Sequence, residues 1–215
     1  MNKIVPLVLH RIVVDSIVDF EDVRVEDFRS ILDLKDIYFH SLESAYSENN
    51  KNVVCLTFDD GFASDWEIVF PLLQEYSATA TFFVVTDWIG KKGYLTHVQI
   101  KEMSDSGMQI GSHSHTHPNL IDLDEDRINH EIRHSRLFLE DLLGKEVDSF
   151  SFPFGYENSY LIRKVLQEGY KYCCTSRHGI VKSHMGMLPR NSINSSMGMK
   201  KISATVNACY STRTI

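Results

Sequence analysis

Short runs of β-branched and aromatic residues alternate along the chain with segments in which apolar side chains recur every three or four positions. The runs are typical of buried β-strands, and the periodic segments are typical of helices that pack on one face. The predicted strands are Ile4–Leu9, Val53–Phe58, Thr81–Val85, Gln109–Ile110, Ser149–Phe152, Tyr172–Thr175 and Met187–Ile193. Strands that alternate with helices favour an α/β fold with a parallel sheet.

Three amphipathic helices are predicted between these strands, at Asp65–Tyr76, His97–Ser106 and Asp124–Leu143. In the third helix, Ile128, Ile132 and Leu139 are expected to face inward. Gly107 and Gly144 follow the second and third helices and are expected to end them. Because no linker, low-complexity stretch or repeat interrupts the pattern, a single domain over residues 1–215 is predicted.

Polar motifs follow four of the predicted strands. They are His10, Asp59-Asp60-Gly61, His113–His117 and Pro153-Phe154-Gly155. The carboxyl ends of parallel strands share one edge of a sheet or barrel, and ligands bind at that edge. We therefore expect these motifs to converge on one site.

The paired carboxylates and the paired imidazoles carry the chemistry of this predicted site. Asp-Asp-Gly is also a common turn sequence, so Asp59 and Asp60 alone are a weak signal. His113 and His117, four residues apart, have the spacing by which one segment supplies two metal ligands. Two imidazoles and one carboxylate leave room for water and substrate on a divalent ion, and they favour Zn²⁺ although other metals would fit. Metal-assisted hydrolysis is the reaction type that this set indicates.

Three ordered motifs resemble those of the polysaccharide deacetylases, the NodB-homology domain of carbohydrate esterase family 4. They are Thr57-Phe58-Asp59-Asp60-Gly61, Gly111-Ser112-His113-Ser114-His115-Thr116-His117-Pro118 and Phe152-Pro153-Phe154-Gly155. The segment Ala80-Thr81-Phe82-Phe83-Val84 also resembles the family, and the resemblance extends from about Ile4 to Ile193. It implies a deformed (β/α) barrel and removal of an N-acetyl group from an acetamido sugar, with release of acetate.

The resemblance also implies a role for each motif residue. Asp59 would be the general base that deprotonates the attacking water, and Asp60, His113 and His117 would hold the metal. The backbone N–H of Phe154 would stabilise the oxyanion of the tetrahedral intermediate. These roles agree with the chemistry of metal-assisted amide hydrolysis.

Two departures from the family pattern lead to further predictions. Many members have an arginine at the position of Ser151, and Arg190 is the predicted replacement; a surface arginine or a substrate-anion contact is the alternative. Members usually end with a Leu-x-His motif that provides the catalytic acid, which His178 and His184 do not match.

The sequence Val5-Pro6-Leu7-Val8-Leu9-His10-Arg11-Ile12 resembles instead the opening of a circularly rearranged subgroup. His10 would then protonate the leaving amine, and Val8, on the same strand face, would line the pocket for the acetyl methyl group. A hydrogen-bonded histidine at a strand end is the alternative. Surface or packing roles are expected for the other histidines, His130 and His134 among them, and Trp88 and Tyr94 would stack on a sugar ring or anchor a loop.

Charge narrows the range of partners. The 215 residues include 22 Lys and Arg against 29 Asp and Glu, which gives a formal charge of −7 and argues against nucleic-acid binding. Gly169 to Ile215 contains basic residues and no acidic one. This final stretch would form ion pairs with the acidic part, or would bind an anionic group such as the phosphate of a glycan precursor.

The longest apolar run near the start, Ile4–Leu9, is too short for a signal-peptide core, so a cytoplasmic protein without transmembrane segments is expected. The four cysteines, Cys55, Cys173, Cys174 and Cys209, lack metal-type spacing and are expected to be reduced and buried. The sequence leaves the sugar and the oligomeric state open. A sugar-binding module without catalysis, and a metal-independent amidohydrolase of the same domain family, are the alternative functions.

Overall fold

The computed structural model describes residues 4–47, 53–179, 181, 186–197, 202–204 and 206, without the side chains of residues 46 and 47. The strands are β1 Ile4–Leu9, β2 Ile12–Val13, β3 Val23–Arg24, β4 Tyr38–His40, β5 Val53–Phe58, β6 Thr81–Val84, β7 Gln109–Ser112, β8 Ser149–Ser151, β9 Tyr172–Cys174, β10 Gly186–Leu188 and β11 Asn191–Ser192. The main helices are α1 Val25–Leu32, α2 Leu42–Ser47, α3 Phe70–Glu75, α4 His97–Asp105, α5 Glu125–Leu143 and α6 Ser159–Gln167. Among the residues of the sequence predictions, His184 and Cys209 lie outside the described residues, as do four basic residues of the final stretch, Lys182, Lys200, Lys201 and Arg213.

The main sheet is parallel and strongly curled. Its strands follow the order β10-β9-β8-β7-β6-β5-β1-β11, and β4 also pairs with β5. Although β10 and β11 lie at opposite ends of this order, Leu188 and Asn191 are separated by two residues, which can span no more than about 11 Å. The two ends of the sheet must therefore lie close together. The predicted α/β class and deformed (β/α) barrel are confirmed, and the fold forms a single domain.

Helices pack on the outer face of this sheet as their apolar spacing predicts. Ile128, Ile132 and Leu139 of α5 are buried in the large core between sheet and helices. Gly144 ends α5 with a φ of 68°, a left-handed conformation that glycine adopts without strain. A smaller apolar cluster includes Cys55, Phe83, Cys174 and Leu188, and lies on the strand face shared by Thr57 and Asp59.

Several elements differ from the prediction. One strand over Met187–Ile193 is wrong, because the chain forms β10 and β11 with Pro189 and Arg190 between them, and proline has no N–H for a sheet hydrogen bond. The helix expected at Asp65–Tyr76 begins with a π-helical turn at Asp65–Val69 and continues as α3. The short strands β2, β3 and β4 and the helices α1, α2 and α6 were not predicted. None of the helices in the described ranges has the length and apolar character needed to cross a membrane.

Candidate metal centre

The carboxyl ends of the strands bring the predicted site residues to one pocket of about 360 Å³. Leu9 of β1 pairs with Phe58 of β5, so His10 and Asp59 leave neighbouring strands side by side. The backbone N–H of His113, which follows β7, donates to the carbonyl of Val84 at the end of β6 (3.0 Å). The predicted residues that line the pocket are Val8, His10, Asp59, Asp60, His113, His117 and Phe154.

Asp60, His113 and His117 present converging ligand atoms. The Nε2 atoms of the two histidines are 3.2 Å apart, and each lies 3.5 Å from Oδ1 of Asp60. Two nitrogens bound to one tetrahedral Zn²⁺ at about 2.0–2.1 Å are roughly 3.3 Å apart. Asp60 Oδ1 is buried and has no hydrogen-bond partner among the described residues. The donor set therefore fits a divalent metal ion.

The neighbours of His113 select the nitrogen that can bind a metal. Its Nδ1 lies 2.8 Å from the backbone carbonyl of Ser151, which can only accept a hydrogen bond. Nδ1 must therefore carry the proton, which leaves the lone pair of Nε2 facing Asp60 and His117. Metal-binding histidines are commonly oriented in this way.

The segment from His113 to His117 is a tight turn and not a helix. Ser114 and His117 have φ values of 65° and 62°, which are left-handed conformations. The Ser114 hydroxyl accepts from the backbone N–H of His117 (3.0 Å). This turn brings both imidazoles to the same side, as their spacing predicts.

Glu131 of α5 holds this turn, a role that sequence reasoning missed. Its Oε2 accepts from the backbone N–H groups of His115 and Thr116, each at 2.8 Å, and its Oε1 accepts from the Thr116 hydroxyl (2.6 Å). The signal was available, because Glu131 lies in the buried stripe of α5 beside Ile128 and Ile132. A carboxylate among inward-facing apolar positions indicates a buried polar partner.

Burial determines the protonation of the three candidate ligands in the metal-free protein. It raises the pKa of Asp60 from 3.8 to about 7, against the charge of His10 and with the help of Asp59. It lowers the pKa of His113 to about 3, and it also lowers that of His117. The two histidines are therefore neutral at neutral pH, whereas about half of the Asp60 carboxyl groups are protonated at pH 7.

We expect zinc binding by the metal-free protein to release about half a proton at pH 7 and nearly one at pH 6, because Asp60 must ionise to become a ligand. The affinity for zinc should rise with pH up to about 7 and then level off. Above pH 7 the Asp60 carboxyl is largely ionised and the histidines hold no protons that a metal must displace. Calorimetry in buffers of different ionisation enthalpy measures the release. Asp60→Asn serves as the control, because any release that this variant still shows comes from groups other than Asp60; a wild-type release that exceeds that of the variant by the same amount at pH 6 and pH 8 would contradict the assignment.

Arg190 is fully buried and forms a two-pronged ion pair with Asp59. Its two terminal nitrogens donate to Asp59 Oδ1 (2.6 Å) and Oδ2 (2.7 Å). They also reach the hydroxyls of Thr57 (3.1 Å) and Ser151 (2.8 Å), and the Ser151 hydroxyl donates to Asp59 (3.0 Å). Burial alone would raise the pKa of Asp59, but the charge and hydrogen bonds of Arg190, with the charge of His113, hold it well below its usual value.

This geometry favours one of the two interpretations of Arg190. Its side chain occupies the space beside Ser151 and contacts the proposed base directly, as expected for a replacement of the family arginine. The guanidinium of Arg190 has no exposed surface, and it does not line the pocket. A contact with an anionic group of the substrate does not fit this position. The sequence signal for this pair was the serine at a position where many relatives have arginine.

His10 and Val8 lie on the same side of the pocket. Val8 is buried at the pocket wall, and the His10 side chain is 16% exposed. His10 Nδ1 has no hydrogen-bond partner among the described residues, while Nε2 lies 3.6 Å from a carboxylate oxygen of Glu21. Glu21, which the sequence did not single out, also lines the pocket, on a segment tied down by the ion pair between Arg11 and Asp22.

Aromatic rings surround His117. Phe154, with a φ of 59° and an exposed side chain, places its ring 4.7 Å from the imidazole of His117. On another side, Trp88 lies 5.1 Å from His117 and packs against Tyr94. These contacts favour loop anchoring over sugar stacking for Trp88 and Tyr94.

The described basic side chains of the final stretch pair with carboxylates. Lys171 lies near Glu146 and Asp148, Arg177 pairs with Glu157, and Arg190 pairs with Asp59. This pattern favours ion pairing with the acidic part of the chain over a phosphate site.

The model of the polysaccharide deacetylase family matches residues 46–173, more than half of the chain, and the chain belongs to this family. It is 29% identical over 150 residues to YxkH of Bacillus subtilis, whose name assigns it to the polysaccharide deacetylases, covering 70% of this chain and 54% of YxkH. It is also 29% identical over 131 residues to a peptidoglycan-N-acetylglucosamine deacetylase of Bacillus cereus, covering 60% and 59%. The chain thus spans a little over half the length of these two relatives.

Among solved structures, the fold matches the Streptococcus pyogenes deacetylase PplD, which was determined in complex with acetate. The TM-score is 0.85 and the sequence identity is 28%, with 95% of this chain and 98% of PplD covered. The likeness therefore extends over nearly the whole of both chains.

Proposed function

We propose that this protein is a metal-dependent hydrolase that removes the N-acetyl group from an acetamido sugar. The observation that carries the proposal is the convergence of Asp60, His113 and His117 beside Asp59 and His10 in one pocket. Such a pocket provides a metal site, a base and an acid within reach of one substrate bond. The names of the relatives support the same reaction.

The proposed metal is one divalent ion, with Zn²⁺ favoured by two nitrogen ligands and one oxygen ligand. When bound, such an ion polarises the amide carbonyl and lowers the pKa of water. Asp60, His113 and His117 would hold it. The hydrogen bond from His113 Nδ1 to Ser151 fixes the orientation of one of these ligands.

Asp59 is the proposed general base and His10 the proposed general acid. Arg190 and Ser151 keep Asp59 ionised and fix its orientation, so its carboxylate can accept a proton from the attacking water. His10 would donate a proton to the sugar nitrogen as the amide C–N bond breaks, so that water and the amide become acetate and a free amine. Val8 would contact the acetyl methyl group, and the Phe154 N–H would stabilise the oxyanion.

The position of His10 supports the proposed circular rearrangement of the catalytic motifs. The strand that it follows, β1, comes first in the sequence but lies between β5 and β11 in the sheet. His10 therefore reaches the same pocket as Asp59 and Phe154, which follow it by 49 and 144 residues. A strand in this position can supply the acid that other members carry near their end.

The proposed substrate is an N-acetylated amino sugar of a polysaccharide or a glycan precursor. One relative is named for the N-acetylglucosamine of peptidoglycan, and PplD binds acetate, the expected product. An acetate-release assay with the metal-loaded protein should detect product from at least one of acetylated oligosaccharides, nucleotide-sugars and lipid-linked sugars. Sugar binding without any acetate would favour the binding-module alternative and contradict the proposal.

Removal of the metal should reduce acetate release to background. We expect chelation to abolish activity and stoichiometric Zn²⁺ to restore it, because the ion would polarise the amide carbonyl and lower the pKa of the attacking water. Asp60→Asn provides the matched variant and should remain inactive when zinc is returned. Full activity after complete metal removal, verified by elemental analysis, would move the protein to the metal-independent amidohydrolases.

A further inference from the structure

A second histidine cluster lies beside the candidate metal centre. His115 comes from the turn that carries His113 and His117, and His130 and His134 lie one turn apart on α5. The ring of His115 is 5.4 Å from that of His130 and 4.5 Å from that of His134, and the rings of His130 and His134 are 4.9 Å apart. The function proposed above uses none of these three side chains.

The separations match those of imidazoles that share one metal ion. With Zn–N bonds of about 2.0–2.1 Å and tetrahedral angles, the ring centres of two bound histidines lie roughly 5 Å apart. Histidines at i and i+4 on a helix are a common source of two ligands. A third imidazole from a neighbouring segment completes a set with one position left for water.

The hydrogen bonds around the cluster leave its ring nitrogens suitable for coordination. Nδ1 of His115 bonds the hydroxyl of Thr86 (2.8 Å), so Nε2 is the nitrogen left for a metal, as is usual for oriented histidine ligands. Glu131, which lies between the two helix histidines in sequence, uses its oxygens on His115 N–H and Thr116. The ligands would therefore be nitrogen alone, which suits Zn²⁺, Ni²⁺ and Cu²⁺ and disfavours Mg²⁺ and Ca²⁺.

We propose that His115, His130 and His134 bind a second transition-metal ion, with Zn²⁺ as the cation used to test it. The ligand atoms of Asp60, His113 and His117 already converge. At the second site, the exposed rings of His130 and His134 are stacked with an angle of 12° between their planes. Both rings must rotate toward His115 to bind one ion. An ion at this site would link the turn from His113 to His117 with α5. The proposal does not depend on the proposed reaction.

Zinc titration of tag-free, metal-free protein tests this site without an activity assay. The wild-type protein should bind two equivalents, and the double variant His130→Asn/His134→Asn should bind one. Asp60→Asn/His117→Asn should lose the other equivalent and keep the one at the second cluster. Because His130 and His134 are exposed, their replacement should leave the far-ultraviolet circular dichroism spectrum unchanged.

Two further variants separate the proposed site from weaker alternatives. His97 is the first residue of α4, and its ring lies 5.9 Å from that of Phe138 on α5. His97→Asn should still bind two equivalents of zinc. His115→Asn should weaken the second equivalent; unchanged affinity would reduce the site to the helix pair and overturn the three-ligand assignment. A wild-type protein that binds one equivalent, or a double variant that still binds two, would overturn the proposal altogether.

Discussion

Replacing Arg190 with alanine should lower the free energy of unfolding by about 3–5 kcal/mol, the usual cost of leaving one partner of a buried ion pair uncompensated. A typical domain has only roughly 5–15 kcal/mol of stability. Both Asp59 oxygens accept from Arg190, and neither side chain has appreciable access to water. Urea unfolding of the metal-free protein measures the change.

The free energy of unfolding of this variant should change with pH in a direction that a cavity alone would not produce. In the wild-type protein the pKa of Asp59 lies below its ordinary 3.8, so the pair contributes stability above about pH 4 that is lost as the pH falls. Without Arg190, burial would raise the pKa of Asp59. The stability difference between the wild-type protein and the variant should therefore grow as the pH rises above about 4, where the Arg190–Asp59 pair of the wild-type protein remains intact.

Two controls separate the ion pair from general damage. Arg29→Ala removes an arginine whose partner, Glu75, is exposed, and it should leave the unfolding midpoint nearly unchanged. Asp59→Leu combined with Arg190→Met replaces the pair with apolar groups; it should recover much of the lost stability while acetate release stays absent. If Arg190→Ala is no more destabilising than Arg29→Ala, the buried pair does not have the role assigned to it.

The origin of Arg190 shows what a single sequence can predict about this site. The serine at position 151 indicated that the base needed another cation, and Arg190 lay within the predicted strand Met187–Ile193. The contact itself depends on the sheet curling until β10 and β11 lie near each other, with Pro189 and Arg190 between them. This closure is a long-range property that local hydrophobic patterns do not encode, so one strand was predicted where two occur.

Strand-end motifs were more predictable than their supports. His10 and Asp59 each follow an apolar run, and His113 follows the short predicted strand Gln109–Ile110. Parallel strands place such positions at one edge whatever the details of the loops. Glu131 and Glu21 reach the site from a helix and a loop, where the distance to the site depends on tertiary packing. Glu131 was still recognisable as an acid in a buried stripe, whereas nothing in the local sequence distinguished Glu21.

His10→Ala should retain the metal and lower turnover of the acetamido substrate by about 10²–10⁴-fold, the usual contribution of general acid catalysis. The imidazole lies in the pocket but is not part of the ligand cluster of Asp60, His113 and His117. Zinc content should therefore equal that of the wild-type protein. His178→Ala, at an exposed position, is the matched control and should leave the rate unchanged.

The leaving group decides whether His10 acts as an acid or only shapes the pocket. An amide nitrogen must gain a proton before it can leave, whereas the phenolate of an aryl acetate leaves without one. His10→Ala should consequently lose little of its aryl acetate hydrolysis while it loses most of its amide hydrolysis, and Asp59→Asn should lose both. Equal losses on the two substrates would mean that His10 positions the acetyl group, and a near-wild-type rate on the amide would remove the N-terminal strand from the catalytic machinery.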